Sequence, residues 1–548
     1  MSEVFESITI EIKRPGDVAW TDVTTDVLHN PAPRGNTGIN DNGWLNRVAN
    51  VGRFKFSLDN SAGNSQATLR YYTPGNPGGV PGGTEVRVGF KYAGRKRYKW
   101  AGIVEPGGAT PSPIGEFPPM VSISCYDWFG IIAYFPLDFL ARATNKTIME
   151  GVALILESLP AGVQPTYVTY NTATYTFPTI FDLMSGETTA IGEFNKLAIS
   201  EMGYVYSRGN EIDGLSLVVD GKLTRYNVAS DTVIPTHSSA TTDDLLLANG
   251  VDKLLLAASG TDNLLLTQTA SVDFDQDDML AGSAMGKSVA VSFGRHYANY
   301  IKAAVTPRRV DTAATTVLFT MESSVLVTAG ATVSGLRGRY RDPSGAASYV
   351  NGTEMVTPVA TTDYRAFANA DGTGTEYTAN CTITAEFGTA EVEFSITNTG
   401  GTAFYVGGDI IFQFRGKGIY AYDVVDIILD RSDPDSKVGR QLLSFDLVYQ
   451  SDPVAVKTLL DESVLASAST EFVEIKAFPL LANRDVKNMM AFMYLDTGSR
   501  ATFTEPYSGY ANTSFINGYD FEIIEGKYVS WAPVLARRDT SVPQDEGA

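Results

Sequence analysis

Apolar and polar residues alternate at period two through most of the chain, and this pattern predicts strands. Ile8-Thr9-Ile10-Glu11-Ile12-Lys13 alternates and stops at Arg14-Pro15-Gly16. Phe54-Lys55-Phe56-Ser57-Leu58 runs into Asp59-Asn60-Ser61, and Glu85-Val86-Arg87-Val88-Gly89-Phe90 runs towards a turn at Ala93-Gly94. Alternation puts one strand face in a core, and Asx and Gly clusters supply the turns. Several such strands before residue 130 predict a small barrel or sandwich. The last seventy or so residues return to this pattern, as in Phe472-Val473-Glu474-Ile475 and Phe521-Glu522-Ile523-Ile524.

Three stretches switch to helical spacing. Ile148, Val152, Ile155, Leu156 and Leu159 form one stripe, with Asn145 or Thr147 as its cap and Pro160 as its stop. Ile191, Phe194, Leu197, Ala198 and Met202 form another, followed by strand-like Gly203-Tyr204-Val205-Tyr206 and Leu215-Ser216-Leu217-Val218-Val219. The third opens at Asp452-Pro453, with Val456, Leu459, Leu460 and Val464 on one side. Between 241 and 268, three Leu triplets (Leu245-Leu246-Leu247, Leu254-Leu255-Leu256 and Leu264-Leu265-Leu266) recur after aspartates. They predict a small β-meander packed on a neighbouring domain or subunit. Strand runs and close turns over 313–412 predict an immunoglobulin-like sandwich without the paired cysteines of antibody domains.

The expected fold class is therefore mainly β and multidomain, with smaller α/β modules, two barrel-like domains and an inserted sandwich. The divisions expected are a β-barrel-like domain at 1–130, an α/β domain at 131–230 and the Leu-triplet region at 231–298. A second α/β domain follows from 299–312 with 413–469, then the inserted sandwich at 313–412 and a C-terminal barrel-like domain at 470–548.

Charge and length narrow the functions. The net charge of −20 over 548 residues argues against tight DNA binding, which needs clustered Lys and Arg, but suits a lumen through which DNA passes without sticking. No apolar run approaches the roughly 18 residues of a membrane span. The acidic start, Met1-Ser2-Glu3-Val4-Phe5-Glu6, does not read as a secretory signal, so synthesis in a cytoplasm is expected. Cys125 and Cys381 lie in separate strand runs and read as buried free thiols.

Little chemistry can be assigned. His29, His237 and His296 are far apart and show no metal-ligand spacing. Asp273-Phe274-Asp275-Gln276-Asp277-Asp278 begins like a calcium loop, but Asp278 and Ala284 stand where Gly and Glu are required, so it reads as a solvated acidic stretch. The basic run Arg95-Lys96-Arg97-Tyr98-Lys99-Trp100 reads as a strand with a solvated basic edge, ahead of a nucleic-acid contact or an acidic partner surface. No catalytic, cofactor-binding or metal-binding residue is assigned, and no cofactor is expected.

The order of these pieces resembles the hub proteins of bacteriophage tail tips and baseplates. The resemblance rests on Trp20 to Leu28, on Val48 to Ser61, on Val86-Arg87-Val88, on Trp100-Ala101-Gly102-Ile103-Val104 and on the exit Cys125-Tyr126-Asp127-Trp128. It continues through the helix before Gly203, through Tyr300 to Val305, Gly439-Arg440 and the helix after Asp452, to Phe515 to Tyr519 and Trp531-Ala532-Pro533. The Leu triplets and the sandwich look like insertions. The resemblance implies a non-enzymatic virion component, a homotrimer around the tail channel. It would touch tail tube, distal tail, tape-measure and fibre proteins, pass viral DNA without specific binding, and not insert stably in a membrane. It would be assembled in the host cytoplasm. The alternative is a receptor- or carbohydrate-binding tail protein acting through the sandwich.

Overall fold

The computed structural model describes residues 4–39, 45–113, 115, 118–137, 140–182, 188–222, 298–344, 349–432, 437, 439–465, 480–505 and 510–535. It also describes short strands at 233–236, 244–246, 253–255, 266–269, 272–275, 291–293 and 473–475. The fold is mainly β, with five α-helices among the described residues.

In the N-terminal region, β1 (Ser7–Lys13), β2 (Arg34–Gly38), β3 (Arg53–Asp59), β4 (Glu85–Tyr92), β5 (Arg95–Pro111) and β6 (Met120–Asp127) pair in the order β2-β3-β6-β5-β4-β1. The β4–β5 turn holds Ala93 at φ 49° and Gly94 at φ 77°, the two left-handed residues of a hairpin matched to strand twist. Helix α1 (Trp128–Ile132) leaves β6 with Asp127 as its cap.

The α/β region contains α2 (Ile148–Ser158), β7 (Tyr167–Tyr170), α3 (Ala190–Glu201), β8 (Tyr204–Arg208) and β9 (Ser216–Asp220). Thr147 and Glu150 form a reciprocal capping box at α2, which selects Thr147 over Asn145. Thr189 caps α3, and Met202 closes it in the left-handed conformation. The strands order β7-β9-β8, with β7 parallel and β8 antiparallel to β9. A second small sheet orders β11-β10-β12, from β10 (Tyr300–Val305), β11 (Val425–Asp430) and β12 (Leu442–Leu447). Helix α4 (Pro453–Leu465) packs Val456, Leu459 and Leu460 against Ile301, Ala303 and Val305.

Between β10 and β11 the chain makes a sandwich. One sheet joins Thr332–Arg339, Glu391–Asn398 and Cys381–Phe387. The other joins Arg308–Val310, Gln413–Ala421 and Thr316–Thr320, with Asn351–Thr353 alongside, so its last strand reaches residue 421. Its aromatics fill its own core: Phe394 lies 5.2 Å from both Phe412 and Phe414 between ring centroids.

The C-terminal region differs from the all-β expectation. Val486–Tyr494 is helix α5, capped by Asp485, which accepts the Asn488 N–H at 2.8 Å. After it, β13 (Arg500–Glu505), β14 (Tyr510–Ile524) and β15 (Tyr528–Leu535) form an antiparallel run. The upper half of β14 pairs with β2, Gly518 to Glu522 against Gly38 to Arg34. The two ends of the chain therefore share one sheet. They also share one core, in which Phe54, Phe90 and Trp100 meet Phe492, Phe521 and Trp531.

Both cysteines are free and buried, as expected, and burial pushes the Cys381 thiol up to about 12. Of the Leu triplets, the first two form an antiparallel pair, Leu245 opposite Leu254. The third lies largely outside the described residues, as do the packing of all three, His237, His296 and Gln276 to Asp278.

Candidate functional site

The basic run of β5 is where the modules meet. It is not a solvated edge, and the reason is a bulge. Val88 pairs with Trp100 and Gly89 with Tyr98, which leaves Lys99 as an extra residue without a cross-strand partner. The extra residue breaks the alternation and sends the charges to both sheet faces. On the outer face, Glu11 accepts from Arg87 Nε at 2.6 Å, Lys96 Nζ at 2.7 Å and Tyr98 Oη at 3.0 Å. Burial raises the Glu11 pKa, but the hydrogen bonds from Lys96 and Arg87 outweigh it and hold the carboxyl below its usual range.

On the inner face, Lys99 is fully buried. Its Nζ donates to Asp496 Oδ1 at 2.5 Å and to the Leu495 carbonyl at 2.8 Å. Arg97 Nη2 donates to Asp496 Oδ2 at 2.9 Å, and Tyr519 Oη donates to Asp496 Oδ1 at 2.9 Å. The turn that carries Asp496 also receives the α/β region: Arg208 Nε donates to the Thr497 carbonyl at 2.7 Å, and Arg208 Nη2 to Tyr206 Oη at 3.0 Å. Tyr206 Oη donates to Asp220 Oδ2 at 2.7 Å. Gly498, at φ 81°, sits so close that a Cβ there would lie 2.0 Å from Tyr206 Oη. One acidic turn thus ties together residues 97–99, 206–220 and 519. Burial pulls the Lys99 ammonium down to about 8, with Asp496 opposing that fall and Arg97 adding to it.

Two further buried joints hold the other modules. Glu193 of α3 accepts from Tyr449 Oη, Lys196 Nζ at 2.6 Å and Thr188 Oγ1 at 2.7 Å, while the Tyr449 N–H donates to Ser200 Oγ at 3.1 Å. Asp182 Oδ1 lies 2.9 Å from Arg308 Nη1 at the base of the sandwich, both buried, and Thr389 Oγ1 donates to the Leu140 carbonyl at 2.6 Å. Tyr449→Phe is expected to lower stability by roughly 1.5–3 kcal/mol, the range for a hydrogen bond to a charged group. Chemical denaturation of the two proteins checks this, and an unchanged midpoint would show that the joint does not bear on folding.

These groups join modules to one another through buried hydrogen bonds and ion pairs. His29 is exposed and lies against Gly526. Among the described residues, no group of three or more His, Cys, Asp or Glu side chains is placed to hold a metal ion, and no helix is long and apolar enough to cross a membrane. No sequence pattern points to the Asp496 joint: Asp496 is 397 residues from Lys99 and stands in no motif.

No protein-family model and no curated protein sequence matches the chain. Similarity to solved structures extends along nearly all of it. The 43 kDa tail protein of prophage MuSo2 from Shewanella oneidensis is 11% identical, over 98% of this chain and 100% of that one, at a TM-score of 0.43. A tail protein from Neisseria meningitidis is 9% identical, over 97% and 96%, at 0.44. Prophage tail protein gp18 from Listeria monocytogenes is 7% identical, over 96% and 94%, at 0.35. All three of these structures are tail proteins.

Proposed function

We propose that the chain is a non-enzymatic structural component of a phage tail tip or baseplate. In this reading it is a hub that forms a homotrimer around the tail channel, joins the tail tube to tip and fibre proteins, and lets DNA pass. The observation that supports this most is the joining of the N-terminal and C-terminal regions in one sheet and one core, with Arg208 of the α/β region bonded to the Thr497 carbonyl beside the buried Lys99–Asp496 pair. Such cross-bracing suits a part that must keep its shape under load, because pulling the N-terminal and C-terminal regions apart would leave the buried Lys99 charge unpaired. The order of the sequence pieces points the same way.

The remaining assignments belong to this reading. The chain divides into two barrel-like regions at its ends, two α/β modules and an inserted sandwich. Its partners are distal tail, tape-measure and fibre proteins, and its place is the virion tail tip after assembly in the host cytoplasm. The net charge of −20 keeps a passing duplex from adhering.

Light scattering coupled to size exclusion tests the hub. The expected mass is near three times 59.0 kDa. A monomer at every concentration that also stays monomeric on isolated tail tubes would overturn the trimeric hub. Zymography on peptidoglycan is expected to show no clearing.

A further inference from the structure

We infer that β11 is a docking edge for an extended, basic strand from a different protein. It lies at the edge of the β11-β10-β12 sheet and, among the described residues, pairs only with β10, in unbroken register from Tyr300 opposite Asp430 to Val305 opposite Val425. Beyond the other edge strand, the chain after β12 turns onto α3, where the Tyr449 N–H donates to Ser200 Oγ. Edge strands in isolated proteins are guarded by lysines, prolines, bulges or shortness. Elsewhere this chain uses such guards: Thr332–Arg339 carries a bulge and two arginines, and Ala143–Lys146 is short and ends in lysine. Val425-Asp426-Ile427-Ile428-Leu429-Asp430 has no lysine, proline or bulge, and the charges it carries are the acidic Asp426 and Asp430.

The edge is also apolar where it meets solvent. Tyr422, Val424, Val425 and Ile428 are each at least half exposed, as is Leu442 across the sheet. Around them stand Asp423, Asp426 and Asp430. Asp426 meets Lys302 at 2.7 Å and Asp430 meets Arg440 at 2.6 Å, both exposed pairs that solvent screens. This charge decides the occupant. Two copies of β11 paired with each other would bring aspartates together across the new ladder, and like charges across strands repel. A strand alternating β-branched and basic residues meets the apolar side chains and the carboxylates at once, while its main chain completes the open ladder. The β11 edge carries these groups whether or not the chain is a tail hub.

The test uses the full-length chain and a short fluorescein-labelled peptide alternating lysine and valine. Anisotropy is expected to show saturable binding, and hydrogen exchange at 425–430 is expected to slow when the peptide is added. Ile428→Lys, at an exposed position, is expected to weaken binding roughly tenfold or more, and Asp426→Asn to weaken it less. Equal binding by a proline-interrupted lysine–valine peptide would overturn strand addition, and equal binding by a glutamate–valine peptide would overturn the charge argument. Unchanged exchange at 425–430 would also overturn the proposal. So would protection of those amides at high protein concentration without peptide, since the occupant would then be a second copy.

Discussion

Asp496→Ala is expected to destabilise the protein by roughly 3–5 kcal/mol, the cost of removing one partner of a buried ion pair. The substitution leaves the fully buried Lys99 with the Leu495 carbonyl in place of two acceptors, and strips Arg97 and Tyr519 of the carboxylate they share. Arg97 is partly exposed and can turn to water. Lys99 cannot. Its ammonium is already held near pH 8 by burial, and without Asp496 it falls further, so the lysine becomes neutral in the folded chain. The unfolded chain then binds more protons than the folded one up to the ordinary lysine range, and the variant should regain stability as pH rises. The double variant Lys99→Met with Asp496→Leu should lose much less than Asp496→Ala, because apolar side chains remove both charges together. Denaturant unfolding of wild type, Asp496→Ala and the double variant checks both expectations. If Asp496→Ala stays within about 1 kcal/mol of wild type, the joint behaves as a solvated surface pair and does not lock the modules.

What the sequence made legible follows from the range of the interactions. Helix α2 was readable because its cap, stripe and stop lie within fourteen or so residues, and α3 for the same reason. Helix α5 was missed because Met489-Met490-Ala491-Phe492-Met493 is apolar without a period and buried throughout, which leaves only Asp485 as a local signal. Period two identified the C-terminal part of β14 as a strand but not β2, whose Arg34-Gly35-Asn36-Thr37-Gly38 has no apolar alternation, and it could not say that the two pair, since alternation fixes a face and not a partner. The basic run was misread because one bulge residue, Lys99, shifts the face of everything before it. The joint at Asp496 was invisible for a related reason: a buried pair 397 residues apart has no sequence pattern to carry it.

Stability is expected to fall between about pH 4 and pH 7, opposite in sign to the usual effect of ion-paired carboxylates. Two buried carboxyls set this slope. Burial pushes Asp127 up from 3.8 to about 7, against hydrogen bonds from the Gly52, Gly130 and Phe129 backbone, and its Oδ2 has no partner. A Cβ at Gly52 would lie 2.5 Å from that oxygen, so the site is closed against solvent by backbone. Burial likewise raises Glu201 from 4.5 to about 7, against donors at Thr174 and Tyr175 and the nearby Lys222. Both groups hold their protons more tightly folded than unfolded. Their contribution is complete below the unfolded values and is lost as pH rises through about 7, because across that window the unfolded chain binds fewer protons. For Asp127 the full interval is worth ~4 kcal/mol at most. Carboxylates held low, such as Glu11 and Asp363, give the reverse slope only below about pH 4, so the two effects occupy separate windows. Asp127→Asn keeps an acceptor for the Gly130 N–H and cannot ionise. It should match wild type near pH 5, exceed it near pH 8, and flatten the slope between. Parallel stability curves for the two proteins across that range would mean that Asp127 is ionised in the native state and that its cap reaches water.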